Sequence, residues 1–347
     1  MDLEDPFPNG WRNFTPPRCP VPNCPTAAPG GPAFEWSPRG SFRRKCDRRT
    51  VPRFDCHVCE HSFSVQTFRV NYRLHRPELI EPMFDAFVSK TTQRQTARIV
   101  VCTRTTVRRY LLRLAEHSRD FQVAVLDRAA ARGGISGRFQ LDELETFEQN
   151  RRKKPVTMPV LIEAACRFTL HGETAPLPAR SSGRATALEG TLEHETQVDV
   201  RKSGSREAVK QCFAVLARVA SKAEKVDVST DQKSSYATVL EELMPGRYVH
   251  HTYSGRAERS TANPLWPINH TLAMLRDGMS RLVRRSWAAS KDRVWLAHHL
   301  WIWIAYRNYI RGYTNKQKRV TSGQLAGVVA RRFTKSNFFE WRVAPRA

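Results

Sequence analysis

Two aspartates and one asparagine are the residues of this 347-residue chain best suited to metal chemistry. Asp142 lies in the segment LDELETF, Asp231 in STDQKSSY and Asn269 in PINHTL. Carboxylates that folding brings together bind divalent cations, and Mg²⁺ prefers hard oxygen ligands. Two such ions about 3.5–4 Å apart can activate an attacking oxygen and stabilise a leaving oxygen in phosphodiester cleavage. An asparagine carbonyl is an uncharged oxygen ligand, so it would hold a metal more weakly than a third carboxylate.

The overall charge indicates the class of partner. The chain has 57 Lys and Arg against 33 Asp and Glu, a formal net charge of +24 and a pI of about 10.3. Such an excess implies a polyanionic partner, and the phosphate backbone of nucleic acid is the usual one. An anionic membrane is the competing partner, but the sequence shows no lipidation signal and no basic amphipathic anchor. We therefore expect a nucleic-acid phosphodiester enzyme that does not bind membranes.

The N-terminal sequence and the apolar segments predict the cellular compartment. The first residues, 1–6, are acidic and lack the apolar region of a secretory signal. The most apolar stretch, 294–306, is short and contains two histidines, so it predicts a buried helix. We expect a cytoplasmic protein, in which the eight cysteines are reduced and close pairs bind metal.

Two closely spaced cysteine pairs predict a structural zinc site. Cys19 and Cys24 form the first pair, and Cys56 and Cys59 the second. Four cysteines on two tight turns suit tetrahedral Zn²⁺, whose binding would supply folding energy to this proline-rich segment. We predict a zinc ribbon over residues 18–64, after a disordered tail over residues 1–17. The alternative ligands are Cys46, His57 and His61.

Residues 77–117 have the pattern of a helix-turn-helix domain. Ile99 and Val100 close one short helix, and the next presents an apolar face formed by Val107, Tyr110, Leu111 and Leu114. Three arginines, Arg104, Arg108 and Arg109, project from the early turns of the second helix, where base edges or phosphates are met. An ordinary helical hairpin is the alternative. Residues 118–137 predict a linker helix that ends at a pair of glycines.

The region from 138 to 315 predicts an α/β catalytic domain. Its pattern gives three strands, then a helix at 205–219, a short strand that ends at Asp231, and a further helix at 234–243. This is the element order of a ribonuclease-H-like fold, in which the first and fourth strands lie side by side. Asp142 and Asp231 can therefore meet. The last segment, 316–347, is basic and is predicted to be a C-terminal tail that grips DNA.

Asn269 has two interpretations. It lies about 100° away from an apolar helical stripe that begins at Ile268, and Arg276 follows on its own side of the helix. This side can face the two aspartates. Alternatively, Asn269 only caps the helix. It follows Pro267 by two residues, so it lies near the expected start of the helix, where asparagine is a favoured cap. The acids that could replace it as a ligand are Glu143, Glu258 and Asp277.

Four segments together resemble a known family. They are LDELETF at 141–147, TDQKSSY at 230–236, INH at 268–270 and LRDGMSRLVRRSWAASK at 275–291. These segments are similar to bacterial insertion-sequence transposases of the superfamily of insertion sequence one, whose members have an N-terminal zinc ribbon and helix-turn-helix. The resemblance covers residues 18–315. The family usually has a glutamate where this chain has Asn269, although a related branch with Asp-Asp-Asn exists.

The resemblance implies a DDE-type DNA transposase with a ribonuclease-H-like fold. Asp142, Asp231 and Asn269 would bind two Mg²⁺ or Mn²⁺ ions, while Arg276, Arg284 and Lys291 would hold DNA. The partners implied are double-stranded DNA with terminal inverted repeats, the target DNA, and a second copy of the chain in a dimer or larger assembly. The location implied is the bacterial cytoplasm, at the nucleoid. The alternatives are a catalytically silent DNA-binding regulator and a nuclease without sequence preference.

Overall fold

A computed structural model of the chain contains a small antiparallel sheet near the N-terminus and a larger mixed sheet flanked by helices. The structure describes residues 14–16, 18–21, 23–28, 30–45, 48, 50–179, 201–222, 225–255, 258, 260–283 and 288–341. The α/β class predicted from the sequence is confirmed.

The small sheet consists of strands β1 (Trp36–Arg43), β2 (Thr50–Cys56) and β3 (Ser62–Ser64), paired antiparallel in that order. Aromatic side chains fill its core, and the Phe54 and Phe63 rings lie 5.8 Å apart. The predicted disordered tail lies largely outside the described residues. Within it, Phe14 packs on Phe54 at 5.9 Å and on Phe68 at 5.6 Å.

Three helices follow: α1 (Ile80–Val88), α2 (Gln93–Ile99) and α3 (Arg104–Ala131). Thr92 begins α2 with a capping box, and the Thr103 side chain accepts a hydrogen bond from the Thr106 N–H at the start of α3. The sequence predicted that Ile99 and Val100 close the short helix, and α2 ends at Ile99 with Val100 as its C-cap. The predicted boundary between 117 and 118 falls inside α3, which is one continuous helix of 28 residues.

The large sheet contains the strands that carry the two aspartates. Its strands are β4 (Arg138–Phe147), β5 (Pro155–Glu163), β6 (Phe168–Gly172), β7 (Ala175–Pro176), β8 (Val226–Asp231) and β9 (Tyr248–Tyr253). The order is β6-β5-β4-β8-β9, with β7 paired to β5. β5 is antiparallel to β4, whereas β8 is parallel to both β4 and β9.

Helices cover both faces of the large sheet. They are α4 (Ser205–Val219), α5 (Ser234–Leu243), α6 (Trp266–Gly278) and α7 (Arg293–Ala305). One core joins β4, β6 and β8 to α3, α4 and α5, and a second core joins β5 to α6 and α7. Every residue of β5 is buried, as expected for a strand covered on both faces. None of the described helices is both long and apolar enough to cross a membrane.

The C-terminal segment is folded up to residue 341, and this differs from the prediction of a DNA-gripping tail. It contains the short helices α8 (Ser322–Leu325) and α9 (Lys335–Glu340). The Phe338 and Trp341 rings both pack on Phe121 of α3, with centroids 5.1 and 4.9 Å away. The His117 ring of α3 hydrogen-bonds the Phe338 carbonyl at 2.8 Å. The aromatic residues of this segment therefore dock it on α3, although its net charge is basic.

Candidate active site and metal centre

Strand pairing places the two aspartates on neighbouring strands. The parallel ladder between β4 and β8 sets Gln140 opposite Ser229. The paired residues end there, two positions before Asp142 on β4 and two positions before Asp231 on β8. Side chains two residues apart on a strand point to the same face, so Asp142 lies on the same face of the sheet as Gln140.

Backbone groups orient both carboxylates. The Glu143 N–H donates to Asp142 Oδ1 at 2.7 Å, and the Lys233 N–H donates to Asp231 Oδ1 at 3.1 Å. Both aspartates are partly exposed, as ligands of an exchangeable cation must be. The turn after β8 thus contributes to the geometry of the site through its backbone.

Asn269 lies in the first turn of α6, because the N-cap residue is Leu265 and the helix begins at Trp266. The Asn269 N–H donates to the Leu265 carbonyl at 3.0 Å. The alternative in which Asn269 caps the helix is therefore wrong. Its amide makes no hydrogen bond within the described part of the chain.

The Gln140 side chain ties α6 to the strand that carries Asp142. Its Nε2 donates to the Pro264 carbonyl at 2.7 Å, and its Oε1 accepts from the Ile268 N–H at 3.1 Å. The Ile268 N–H is in the first turn, where helix N–H groups have no partner within the helix. Gln140 is 1% exposed. Gln140 was not among the predicted site residues, although it precedes Asp142 by two positions in a predicted strand and therefore shares its face.

One cavity of about 350 Å³ is lined by Asp142, Asp231 and Asn269 together. Its other polar lining residues are Glu143, Ser254, Asn263, His270 and Arg276. Two carboxylates and an amide oxygen are the ligand types that Mg²⁺ accepts, so the donor set fits a hard divalent cation. The structure thus brings the three predicted ligands to one place.

Glu143, which lines this cavity, also belongs to a network of hydrogen bonds on the other face of β4. Its carboxylate accepts hydrogen bonds from Thr157 at 2.6 Å, Ser205 at 2.8 Å and Tyr236 at 2.9 Å, and it pairs with the Lys233 ammonium. Burial raises the pKa of Glu143, but these donors outweigh burial and bring the pKa below its usual value. Glu143 is therefore engaged on the side of β4 occupied by α4 and α5.

The other two substitute acids do not line the cavity. Asp277 pairs with Lys90 at 3.6 Å on the exposed side of α6. Glu258 is exposed, and its backbone carbonyl accepts a hydrogen bond from the Asn263 side chain at 2.8 Å. Asn269 thus remains the third ligand candidate at this cavity.

His270 is held as a neutral imidazole beside Asn269. Arginine only donates hydrogen bonds, so the contact of 3.1 Å from Arg167 Nη1 makes His270 Nδ1 an acceptor and leaves the proton on Nε2. Burial lowers the pKa of His270, and Arg167 and Arg307 lower it further. The Arg167 guanidinium also stacks over Trp266, 5.5 Å from the ring centroid.

The four predicted zinc ligands form a cluster in the small sheet domain. The sulfur atoms of Cys19, Cys24, Cys56 and Cys59 all lie within 4.8 Å of one another. Two sulfur–sulfur distances, Cys19–Cys59 at 3.5 Å and Cys24–Cys56 at 3.9 Å, match the roughly 3.8 Å edge of a tetrahedron with Zn–S bonds of about 2.3 Å. The cluster could hold a metal such as zinc. His57 and His61 do not belong to it, and Cys46 lies outside the described residues.

The predicted DNA contacts lie at several places. Arg276 lines the cavity of the aspartates. Arg104 and Lys291 line a second cavity, about 370 Å³ in volume, beside the start of α3. The exposed Arg108 guanidinium stacks on Trp295 of α7, 4.2 Å from the ring centroid. Arg109 is exposed on α3. Arg284 lies outside the described residues.

No protein-family model matches the chain, and no curated protein matches it.

Proposed function

We propose that this protein is a metal-dependent DNA transposase that cuts the ends of its own element and joins them to target DNA. The observation that carries the proposal is the shared cavity of Asp142, Asp231 and Asn269 in a chain of net charge +24. The strand order β6-β5-β4-β8-β9, with β5 antiparallel, supports a ribonuclease-H-like catalytic domain. The family resemblance of residues 18–315 supports the same assignment.

The residues of the cavity have distinct proposed roles. Asp142 and Asp231 hold the divalent cations, and the amide oxygen of Asn269 completes the ligand set on the α6 side. When bound, Mg²⁺ ions supply activation of the attacking oxygen and stabilisation of the leaving 3′ oxygen. Arg276 binds a phosphate of the DNA, since it lines the same cavity. His270, held neutral by Arg167, offers an N–H donor on the same wall.

The other parts of the chain have proposed roles in recognition. The four-cysteine cluster binds zinc and stabilises the small sheet as a ribbon. The helices α1–α3 form a helix-turn-helix that, with the ribbon, recognises the terminal inverted repeats. Two DNA ends must be held together for joining, so the active form is a dimer or a larger assembly at the bacterial nucleoid.

The test is strand cleavage of DNA that carries the chromosomal flanks of the gene, in the presence of Mg²⁺ or Mn²⁺. Asp142→Asn and Asp231→Asn should each lower cleavage by on the order of 10²-fold or more, the loss typical for removal of one charge-stabilising group. Glu145→Gln is the matched control. It removes the same charge from an exposed position on the same strand and should cleave like the wild type. Unchanged cleavage by Asp142→Asn sinks the proposal.

The neutral third ligand favours one alternative, a catalytically silent DNA-binding regulator. Asn269→Glu separates the two functions. If the wild type binds the DNA ends of its element without cutting them, and the Asn269→Glu variant cuts them, the chain is a silenced transposase. Equal cutting of unrelated DNA by the wild type would instead indicate a nuclease without sequence preference.

A further inference from the structure

A second cavity lies between the helix-turn-helix and the segment that follows α6. We call this space of about 370 Å³ the junction cavity. The first residues of α2 and α3 form one wall, and residues 280–281, 288–289 and 291 form another. Its charged lining residues are Arg94, Arg104, Arg281 and Lys291, with no acidic residue among them.

None of these four cations forms an ion pair within the described part of the chain. Arg281 is the most confined, and burial lowers the pKa of its guanidinium to about 10, so it remains charged at neutral pH. Its Nη1 donates to Ser290 Oγ at 3.0 Å. The nearby charge of Asp292 raises the pKa but only partly offsets burial, and a confined cation without an ion-pair partner is costly. The junction cavity is therefore complementary to an anion.

A buried histidine on the cavity wall has one ring nitrogen without a hydrogen-bond partner. His299 is 2% exposed, and its Nε2 donates to the Phe87 carbonyl at 2.6 Å. Burial lowers the pKa of His299 to about 4, so the ring is neutral and Nδ1 is an acceptor. Nδ1 has no hydrogen-bond partner within the described part of the chain. His299 therefore adds no positive charge to the cavity, whose charge comes from its three arginines and Lys291.

We propose that the junction cavity binds a phosphate group, and, resting on the function proposed above, that this phosphate belongs to the DNA backbone. Arg94, Arg104 and Lys291 are exposed at the cavity, so a group on a large ligand can reach it. Arg104 also starts α3, whose exposed Arg108 and Arg109 continue the basic surface outward. One backbone phosphate in this cavity would fix the helix-turn-helix and the catalytic domain on the same duplex.

The first experiment tests the site with inorganic phosphate. Thermal unfolding of the full chain is followed in phosphate and in sodium chloride of equal ionic strength. At phosphate well above its Kd, the wild-type Tm should rise by about 2 °C or more over chloride. The double variant Arg94→Gln/Arg104→Gln should lose that rise. Arg98→Gln is the control, because Arg98 is exposed on α2 but does not line the cavity, and it should keep the rise.

The second experiment identifies the source of the phosphate. Binding of a short duplex is measured without metal at several salt concentrations. If a backbone phosphate occupies the cavity, the double variant should bind the duplex more weakly. The magnitude of its negative slope of log K against log salt should decrease by about 1. Inorganic phosphate should also compete with the duplex more than chloride does.

The outcomes are separable. If phosphate stabilises the wild type no more than chloride, or stabilises the double variant equally, the site is refuted. If phosphate binds but the double variant keeps the wild-type duplex affinity and slope, the ligand is a free phosphate compound, and the DNA part is refuted. Neither readout needs strand cleavage, so a failed cleavage test would leave these results interpretable.

Discussion

The hydrogen bonds of Gln140 lead to a sharp prediction, because one side chain joins the elements that carry Asp142 and Asn269. Replacing it by leucine keeps a buried side chain of similar size but removes the donor to Pro264 and the acceptor for Ile268. The strand and the helix would then lose their direct polar connection beside the cavity.

The size of the effect follows from these contacts. A typical hydrogen bond contributes about 1 kcal/mol net, and a buried partner left unsatisfied costs about 1–3 kcal/mol. With two buried contacts, at 2.7 and 3.1 Å, Gln140→Leu should lower the free energy of unfolding by about 2–4 kcal/mol. A shift of α6 by about 1 Å would also move Asn269 and lower cleavage by on the order of 10²-fold.

The assay pairs chemical denaturation with metal-dependent strand cleavage at a temperature where each variant is fully folded. Gln122→Leu is the matched control. Gln122 is equally buried and donates to the Thr169 and Leu170 carbonyls at 3.0 Å each, but it does not line the cavity of the aspartates. Its Oε1 also accepts from Asn308 at 3.2 Å and from the Tyr309 hydroxyl at 2.6 Å, so its loss of stability should be at least as large as that of Gln140→Leu. It should lose stability and keep cleavage within about threefold, since it positions no ligand. Equal cleavage losses in both variants, or none in Gln140→Leu, would refute the positioning role.

Three further predictions concern the zinc cluster and two buried ionisable groups. Chelation or Cys59→Ser should make residues 18–64 sensitive to protease, because the metal supplies folding energy, whereas Cys102→Ser outside the cluster should not. Burial lowers the pKa of His117 to about 4, so the unfolded state binds a proton that the folded state excludes. The contribution of His117 to stability should be full above pH 6.5 and fall by on the order of 3 kcal/mol towards pH 4, so His117→Gln should reduce the acid loss in urea unfolding by about that amount. Because the pKa of Glu143 is lowered, its stabilisation is present above about pH 4.3 and is lost as pH falls through the folded pKa, so Glu143→Gln should flatten the acid limb of the same curve.

Local patterns were enough to predict several elements. The bounds of α4 and α5 agree with the predicted helices at 205–219 and 234–243, because their apolar residues recur at helical spacing and face a single core. The strand around Asp142 was also predicted, since its polar and apolar residues alternate. Chain order then suggested the neighbouring strands on which Asp142 and Asp231 lie.

Long-range packing was not predictable from such patterns. The continuity of α3 beyond residue 117 depends on its contacts with the sheet and with Phe338, which lies far away in the sequence. The basic composition of the last segment concealed its aromatic contacts with Phe121. Likewise, the cations of the junction cavity come from separate elements, and only folding places Arg94 near Arg281.

The charge of the proposed catalytic site couples metal binding to DNA binding. Two divalent cations carry four positive charges, whereas Asp142 and Asp231 supply two negative charges, and Asn269 supplies none. Arg276 lines the same cavity and adds a further positive charge. Phosphates of the bound DNA are then needed as counter-charges. Mn²⁺ should therefore bind more tightly when uncleavable duplex is present, and the duplex should bind more tightly when Mn²⁺ is present. Asn269→Asp should weaken this coupling, because the protein then supplies the missing charge. Equal Mn²⁺ affinity with and without duplex would contradict the proposed role of the neutral ligand.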